Sequence, residues 1–427
     1  MILKSLFRRF SSNVFVQNIA VVTGGNVMAK LIGFMSAPII TRLYTPAEYG
    51  VFSVFTSIIA IIGSVATLRY AVAIPLPSKE KDSDYLLKLS FLISFLLAFL
   101  FGLIIFIGGD YIINILSLDV IIPYLWLIPF AIIGKGLYNG LTNWAVRQRQ
   151  FRLITKTKVV QGSSSAGIKV GLGFLGLTPD GLIFGALAQE FAGIFSLVSK
   201  LIKGNANFFR EFNVKYVFWI AKRYRKFPLI QTWSQFLLRL GAELPVLLIS
   251  FFFGASEVGI YGLSHTIINM PINLLGQSVS QVYYGEISKI GKHNPRKIYE
   301  LSLSIIKKMF WLGLIPVSII IIFGPYLFSL VFGEEWQDAG VYSRYLSILI
   351  LTRFISSPIG NIFNVFERQG LQLTFNIVRI ALVFLVFGVS NLMNISLLTT
   401  IGVYSLSMTI YYGFLSILMF NVVRKSF

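Results

Sequence analysis

Leu43-Tyr-Thr-Pro-Ala-Glu-Tyr-Gly-Val-Phe52 and, later in the chain, Gly254-Ala-Ser-Glu-Val-Gly-Ile-Tyr261 share one pattern, Glu-x-Gly-aliphatic-aromatic. Glu48 and Gly50 recur as Glu257 and Gly259, 209 residues on. Each motif follows an apolar run and opens the next, and an acid at a helix start suits the helix dipole. Eighteen residues before each Glu stands a cation inside an apolar run, Lys30 and Arg239. A second echo pairs Asn143…Arg147-Gln148 with Asn364…Arg368-Gln369, offset by 221. Repeats of this kind predict two parallel six-helix lobes related by an axis along a membrane normal, with a cavity between them.

The rest of the chain agrees. Of 427 residues, 56% are hydrophobic and only 13% charged, against about 25% charged in ordinary soluble domains. Mean hydropathy is +0.77. A span needs about 20 apolar residues, and twelve candidates are found at 16–41, 48–74, 86–107, 121–145, 158–177, 180–202, 227–251, 257–285, 302–323, 339–366, 372–391 and 396–422. The predicted fold is an all-α polytopic membrane protein with lobes at 1–202 and 227–427 joined by a cytoplasmic linker at 203–226. The apolar run behind Lys4, Arg8 and Arg9 is too long for a signal peptide and reads as a retained first helix.

Net charge is +20. The basic residues lie in short blocks between spans, which is how membrane orientation is written, and nucleic acid is not expected as a partner. With the N-terminus placed inside, 28 of the 37 Lys and Arg residues fall in cytoplasmic segments and only Arg42 and Arg344 outside, so both termini are expected in the cytoplasm. Seven remain within spans: Lys30, Arg69, Lys135, Lys169, Arg239, Arg353 and Arg379. Glu190 and Glu243 are the acids there, with Glu286 and Glu367 at cytoplasmic ends.

Each charge at mid-bilayer costs about 2.5–3.5 kcal/mol on insertion scales. Seven total about 20 kcal/mol, beyond a net folding stability of about 5–15 kcal/mol. They must pair, snorkel or line a wet cavity. Arg69 is close enough to a span end to snorkel, Arg379 stands about two turns deep, and Arg239 and Glu243 can pair at i,i+4. Lys30, Lys135, Lys169 and Arg353 have no acid within helical reach and are assigned to a cationic lining. Asn18, Asn26 and Lys30 share one helix face, as do Gln161, Ser165 and Lys169. Such a lining suits an anionic ligand, because Arg forks onto phosphate and Lys supplies a mobile charge. Glu190, Glu243 and His265 are either ion-coupling groups or, in turn, counter-ions and a satisfied interior His.

The chain holds no cysteine, no GxxxxGK[ST] and no HExxH. Gly171, Gly173 and Gly176 match GxGxxG inside an apolar span with no strand before it, so that match carries no nucleotide site. No enzyme, metal or cofactor is expected beyond an H+ or Na+ gradient.

The Leu-Tyr-x-Pro-x-Glu-Tyr-Gly element of 43–50, the cation in the first span, the Arg147-Gln-Arg-Gln-Phe-Arg152 block and the 254–261 repeat together resemble the Wzx-type polysaccharide flippases of the multidrug/oligosaccharidyl-lipid/polysaccharide exporter superfamily. The resemblance covers nearly the whole chain. It implies alternating access in a bacterial cytoplasmic membrane. The cargo it implies is an undecaprenyl-diphosphate-linked oligosaccharide, moved to the outer leaflet for O-antigen, lipopolysaccharide or capsule assembly. It also implies membrane lipids and a polysaccharide polymerase machinery as partners. The alternative is a cation-coupled exporter of small solutes.

Overall fold

A computed structural model describes residues 14–116, 119–205, 208, 210–366 and 368–426. Lys4, Arg8, Arg9 and Glu367, and the side chain of Asn18, lie outside what it describes. The long helices are α1 Val14–Leu43, α2 Pro46–Gly63, α3 Glu80–Leu116, α4 Ile128–Arg147, α5 Phe151–Phe174, α6 Asp180–Phe191, α7 Ile194–Gly204, α8 Val214–Arg223, α9 Thr232–Phe253, α10 Ala255–Pro271, α11 Gln277–Ile290, α12 Pro295–Phe332, α13 Gln337–Ser356, α14 Gln369–Leu392 and α15 Leu397–Arg424. No strand occurs among the described residues.

Nine segments among them are long and apolar enough to cross a membrane. The regions of α1, α5 and α10–α11 are not among the nine. These are the stretches that carry Lys30, Lys169 and His265. A helix that keeps polar residues at membrane depth must turn them away from lipid.

Several expectations need correction. The span expected at 48–74 is interrupted: α2 ends at Gly63, and Leu68 and Arg69 take φ of 43° and 62° before a short turn at Tyr70–Ala73. The span expected at 180–202 breaks at Gly193, φ 87°. The charged blocks at 80–88 and 296–308 are helical rather than loops. At 37 and 38 residues, α3 and α12 run about 55 Å, well beyond a hydrocarbon core of about 30 Å.

The second echo also shifts. The backbone turn closed by Gln150 N–H on Ala145 O recurs as Arg368 N–H on Phe363 O, both 2.8 Å. The helices ending at Arg147 and Val365, and those spanning Phe151–Phe174 and Gln369–Leu392, register at an offset of 218, not 221. This register places Lys135 on Arg353.

The chain divides into two compact units, Met1–Tyr44 with Val54–Arg239, and Thr45–Ser53 with Leu240–Phe427. In the first, α3, α4 and α8 enclose Leu86, Leu87, Leu141, Leu197 and Ile220. In the second, α11, α12 and α15 enclose Tyr283, Ile287, Ile298, Phe363 and Val423.

Segment 203–226 packs onto the first unit. Val217 and Ile220 of α8 are buried, and Asp82, only 3% exposed, accepts from the Tyr216 hydroxyl and from Arg223 Nη1 at 3.5 Å. The bond to Asp82 pushes the Tyr216 phenol up to about 12. A raised phenol pKa is stabilising below its unfolded value, near 10, and that share is lost as pH climbs through the folded value. Hydrogen bonds to charged groups contribute about 1.5–3 kcal/mol. Asp82→Ala is therefore expected to lower the unfolding temperature and to speed proteolysis within 205–226. Unchanged cleavage there would show that α8 is held by its apolar face alone.

Within the second unit the two repeat motifs meet. A Cβ on Gly50 would run into the carbonyl of Ala255, and a Cβ on Gly259 into that of Pro46. These contacts are related by the 209-residue offset, so each motif supplies the same surface to the other. Thr45 and Glu48 form a capping box: Thr45 N–H donates to Glu48 Oε2 at 2.8 Å, and Glu48 N–H to Thr45 Oγ1 at 3.4 Å. Glu257 departs from this and accepts from the Tyr342 hydroxyl.

Candidate functional site: two clusters of cationic side chains

In the first unit, small residues bring helices close. A Cβ on Gly25 would sit 2.7 Å from Thr155 Cγ2, and one on Gly162 2.9 Å from Ala29 O. This packs α1, from Gly25 to Lys30, along α5 from Thr155 to about its midpoint at Gly162. Gly134 lies against Glu190 Cβ and the Phe191 ring, and Gly63 against the Lys135 stem. Framed in this way, Lys135 Nζ reaches Glu190 Oε1 at 2.8 Å, with the side chains 33% and 12% exposed.

Lys158 joins them. Its ammonium lies 4.6 Å from the Tyr138 ring centroid, donates to Gln161 Oε1 at 3.2 Å and feels the charges of Lys135, Glu190 and Lys30. The Tyr138 hydroxyl bonds the Thr157 hydroxyl at 3.0 Å. At the helix break, a Cβ on Gly193 would stand 2.6 Å from Thr157 Cβ. Lys135 and Lys158 thus gather about one carboxylate, with Lys30 within reach of Lys158, beside an interrupted helix, the kind of place where membrane transporters hold ions and substrates. Lys158 had been counted with the cytoplasmic basic block. The signal that finds it is helical: α5 begins at Phe151, two turns earlier.

Lys169 is not in this group. It stands eleven residues further along α5, about 16 Å of helix rise. Its stem packs on Gly185, and its carbonyl accepts from the Tyr44 hydroxyl at 2.6 Å. Arg239 lies within electrostatic reach of Arg69.

In the second unit Arg353 Nη1 donates to Asn269 Oδ1 at 3.4 Å, and its charge reaches His265, Tyr261, Tyr404 and Tyr412. Arg379, 8% exposed, lies against Gly241 of α9. A Cβ there would stand 2.8 Å from Nε and Nη2. Arg379 hydrogen-bonds Tyr412 and acts electrostatically on Tyr404 and Tyr411. His265 stacks on Tyr261, 5.7 Å between centroids and 17° between planes. Glu243 acts on Tyr261. Phenols surround this pair of arginines.

Comparison with known proteins now bears on these clusters. Residues 39–341 match the model of a family described as polysaccharide biosynthesis protein. The teichuronic acid biosynthesis protein TuaB of Bacillus subtilis (strain 168) is 28% identical over 194 residues, 43% of this chain. The matched stretch covers only 38% of that relative's length.

Among solved structures, an inward-facing multidrug resistance MATE family transporter of the MOP superfamily aligns with a TM-score of 0.68 at 16% identity, over 95% of this chain and 93% of the other. A MOP superfamily transporter from Pyrococcus furiosus, described as having a binding pocket of reverse polarity that suggests a different function, aligns at 0.58 and 16%, over 96% and 95%. At these identities the likeness is one of fold.

Proposed function

The chain belongs to the polysaccharide biosynthesis protein family, and from that premise we propose that it is a flippase for an undecaprenyl-diphosphate-linked oligosaccharide. In this reading it crosses a bacterial cytoplasmic membrane twelve times, with both termini inside. It carries the glycan to the outer leaflet by alternating access coupled to an ion gradient, and surface-polysaccharide polymerase machinery takes it up there. That the protein is a multi-pass membrane protein with the fold of MOP transporters follows from its apolar helices and its structural neighbours.

The observation that carries the proposal is the first-unit cluster. Lys135 and Lys158 lie about a single Glu190, with Lys30 within electrostatic reach of Lys158, a surplus of cations suited to a diphosphate and repulsive to a cationic drug. The exporter alternative draws on Glu190 and Glu243 as coupling acids. Yet Glu190 is engaged by Lys135, which favours the counter-ion role for it.

The test is flipping of a lipid-diphosphate oligosaccharide by protein reconstituted in vesicles. Lys30→Ala, Lys135→Ala and Lys158→Ala combined are expected to stop flipping while the protein still inserts. Flipping at the unaltered rate in the triple variant would sink the cation assignment. Flipping by neither protein, together with proton-driven efflux of a small cation, would favour the exporter.

A further inference from the structure

The Lys135–Arg353 register invites a comparison of the two positions. In the first unit the cation meets Glu190. At the 218-residue offset, Glu190 corresponds to Met408, so the second unit keeps the cation and not that acid. What Arg353 has instead is space. A cavity of about 400 Å³ opens beside it, within the size range of small-molecule sites.

The cavity forms where two helices lose regularity, at the wide turn Ile272–Gly276 and the tight turn Pro358–Asn361. Irregular backbone at membrane depth is tolerated where it lines a cavity. The walls carry one cation, Arg353; three carboxamides, Gln277, Gln281 and Asn361; and the hydroxyls of Ser280 and Ser357. No acid lines it among the described residues. Asn361 is held by its donation to Ser280 Oγ at 2.9 Å and by accepting from Asn364 Nδ2 at 3.2 Å.

These groups discriminate between the parts of an anionic glycolipid. A diphosphate spreads several charges and calls for several cations, as the lysine cluster supplies. One guanidinium matches one carboxylate, through two parallel N–H···O bonds. Arg353 has five N–H donors, and the contact to Asn269 uses one. Carboxamides both donate and accept, which matches ring hydroxyls and adds no charge.

We propose that this cavity recognises a carboxylate-bearing sugar of the transported glycan, with Arg353 on the carboxylate and Gln277, Gln281 and Asn361 on the hydroxyls. The proposal rests on the flippase reading for the glycan's presence. Tyr284, also on the cavity wall, offers a flat apolar face beside the carboxamides.

The experiment measures equilibrium binding to the full-length protein in lipid nanodiscs. The probes are a hexuronate-containing trisaccharide, its carboxyl-reduced neutral twin and inorganic pyrophosphate. The unaltered protein should prefer the hexuronate by about tenfold or more, the scale of a charge-assisted bidentate contact. Arg353→Gln should erase that preference. Arg353→Lys, which keeps the charge and loses the fork, should retain only part of it. Gln277→Ala with Asn361→Ala should weaken both sugars alike. Pyrophosphate binding should survive Arg353→Gln and fall in Lys135→Ala with Lys158→Ala.

The idea is overturned if the unaltered protein binds both trisaccharides equally. It is equally overturned if Arg353→Gln weakens pyrophosphate as much as hexuronate. Failure of the flippase reading looks different: the hexuronate preference holds and follows Arg353, while no lipid-linked oligosaccharide flips in vesicles. Flipping without any hexuronate preference overturns this proposal and leaves the flippase reading standing.

Discussion

Gly259→Ala and Gly50→Ala are each expected to cost the protein most of its folded yield, although alanine is the better helix former by about 0.5–1 kcal/mol. The reason is the reciprocal contact between the starts of α2 and α10. In each case the new methyl group meets a carbonyl oxygen, of Ala255 or of Pro46, and behind Gly259 also the backbone N of Gly50 at 2.9 Å. Overpacking a core with an extra methylene typically costs about 1–3 kcal/mol, because neighbouring side chains can shift. Here the neighbour is backbone in a helix's first turn, which cannot rotate aside, so the cost should lie at or above the top of that range. Gly285→Ala on α11 supplies the control, since nothing stands within 4 Å of its Cβ position. That variant should match or exceed the native unfolding temperature. The measurement is the monodisperse fraction and thermal midpoint of each purified variant. If Gly259→Ala and Gly285→Ala behave alike, the crossing is looser than the structure shows.

That crossing was half legible in the sequence. Glu48-x-Gly50 and Glu257-x-Gly259 announced a repeat because both motifs sit at helix starts, where few residue types serve. That the two copies pack on each other cannot be read from their spacing, which says nothing about which surface meets which. The apolar spans were legible because each is a long run with polar ends. The break at 64–69 was not: Gly63 stands at its edge, but glycine is frequent in membrane helices and marks no break alone, and Ser64-Val-Ala-Thr-Leu-Arg69 holds no proline. The charged turns of α3 and α12 read as loops because polarity along a chain does not separate a solvated helix from a connection. The Arg-Gln echo misled by three residues: the residues repeat, while the helix register is set by the turns closed at Ala145 and Phe363.

For the candidate site, charge counting found Lys30, Lys135, Glu190, Arg353 and Arg379, because a charge at membrane depth is rare enough to stand out. It missed Lys158, which lies next to a basic block in sequence and beside Lys135 in space. It also missed Tyr138, Tyr404, Tyr411 and Tyr412. A tyrosine in an apolar run is ordinary, and only the fold shows that these phenols surround cations.

Glu190→Gln is expected to make the protein's stability depend on added anion. In the native cluster Glu190 offsets part of the charge of Lys135 and Lys158, and Lys30 lies within electrostatic reach of Lys158. Breaking one partner of a buried pair costs about 3–5 kcal/mol; with Lys135 one-third exposed, about 1–3 kcal/mol is the better expectation. Three lysines without their acid repel one another, and a bound polyanion relieves that repulsion. Pyrophosphate should therefore raise the thermal midpoint of Glu190→Gln by more than it raises the native protein's. Lys135→Ala should do the reverse, because it leaves Glu190 to the remaining lysines and weakens the anion site. In the double variant the losses should not add, and the coupling should fall within the roughly 0.5–3 kcal/mol seen for residues in contact. Flipping discriminates further. A carboxylate that serves only as counter-ion can be replaced by glutamine with slowed release and retained transport. One that carries the coupling proton cannot, and transport in Glu190→Gln would then cease even where the cluster binds its anion tightly.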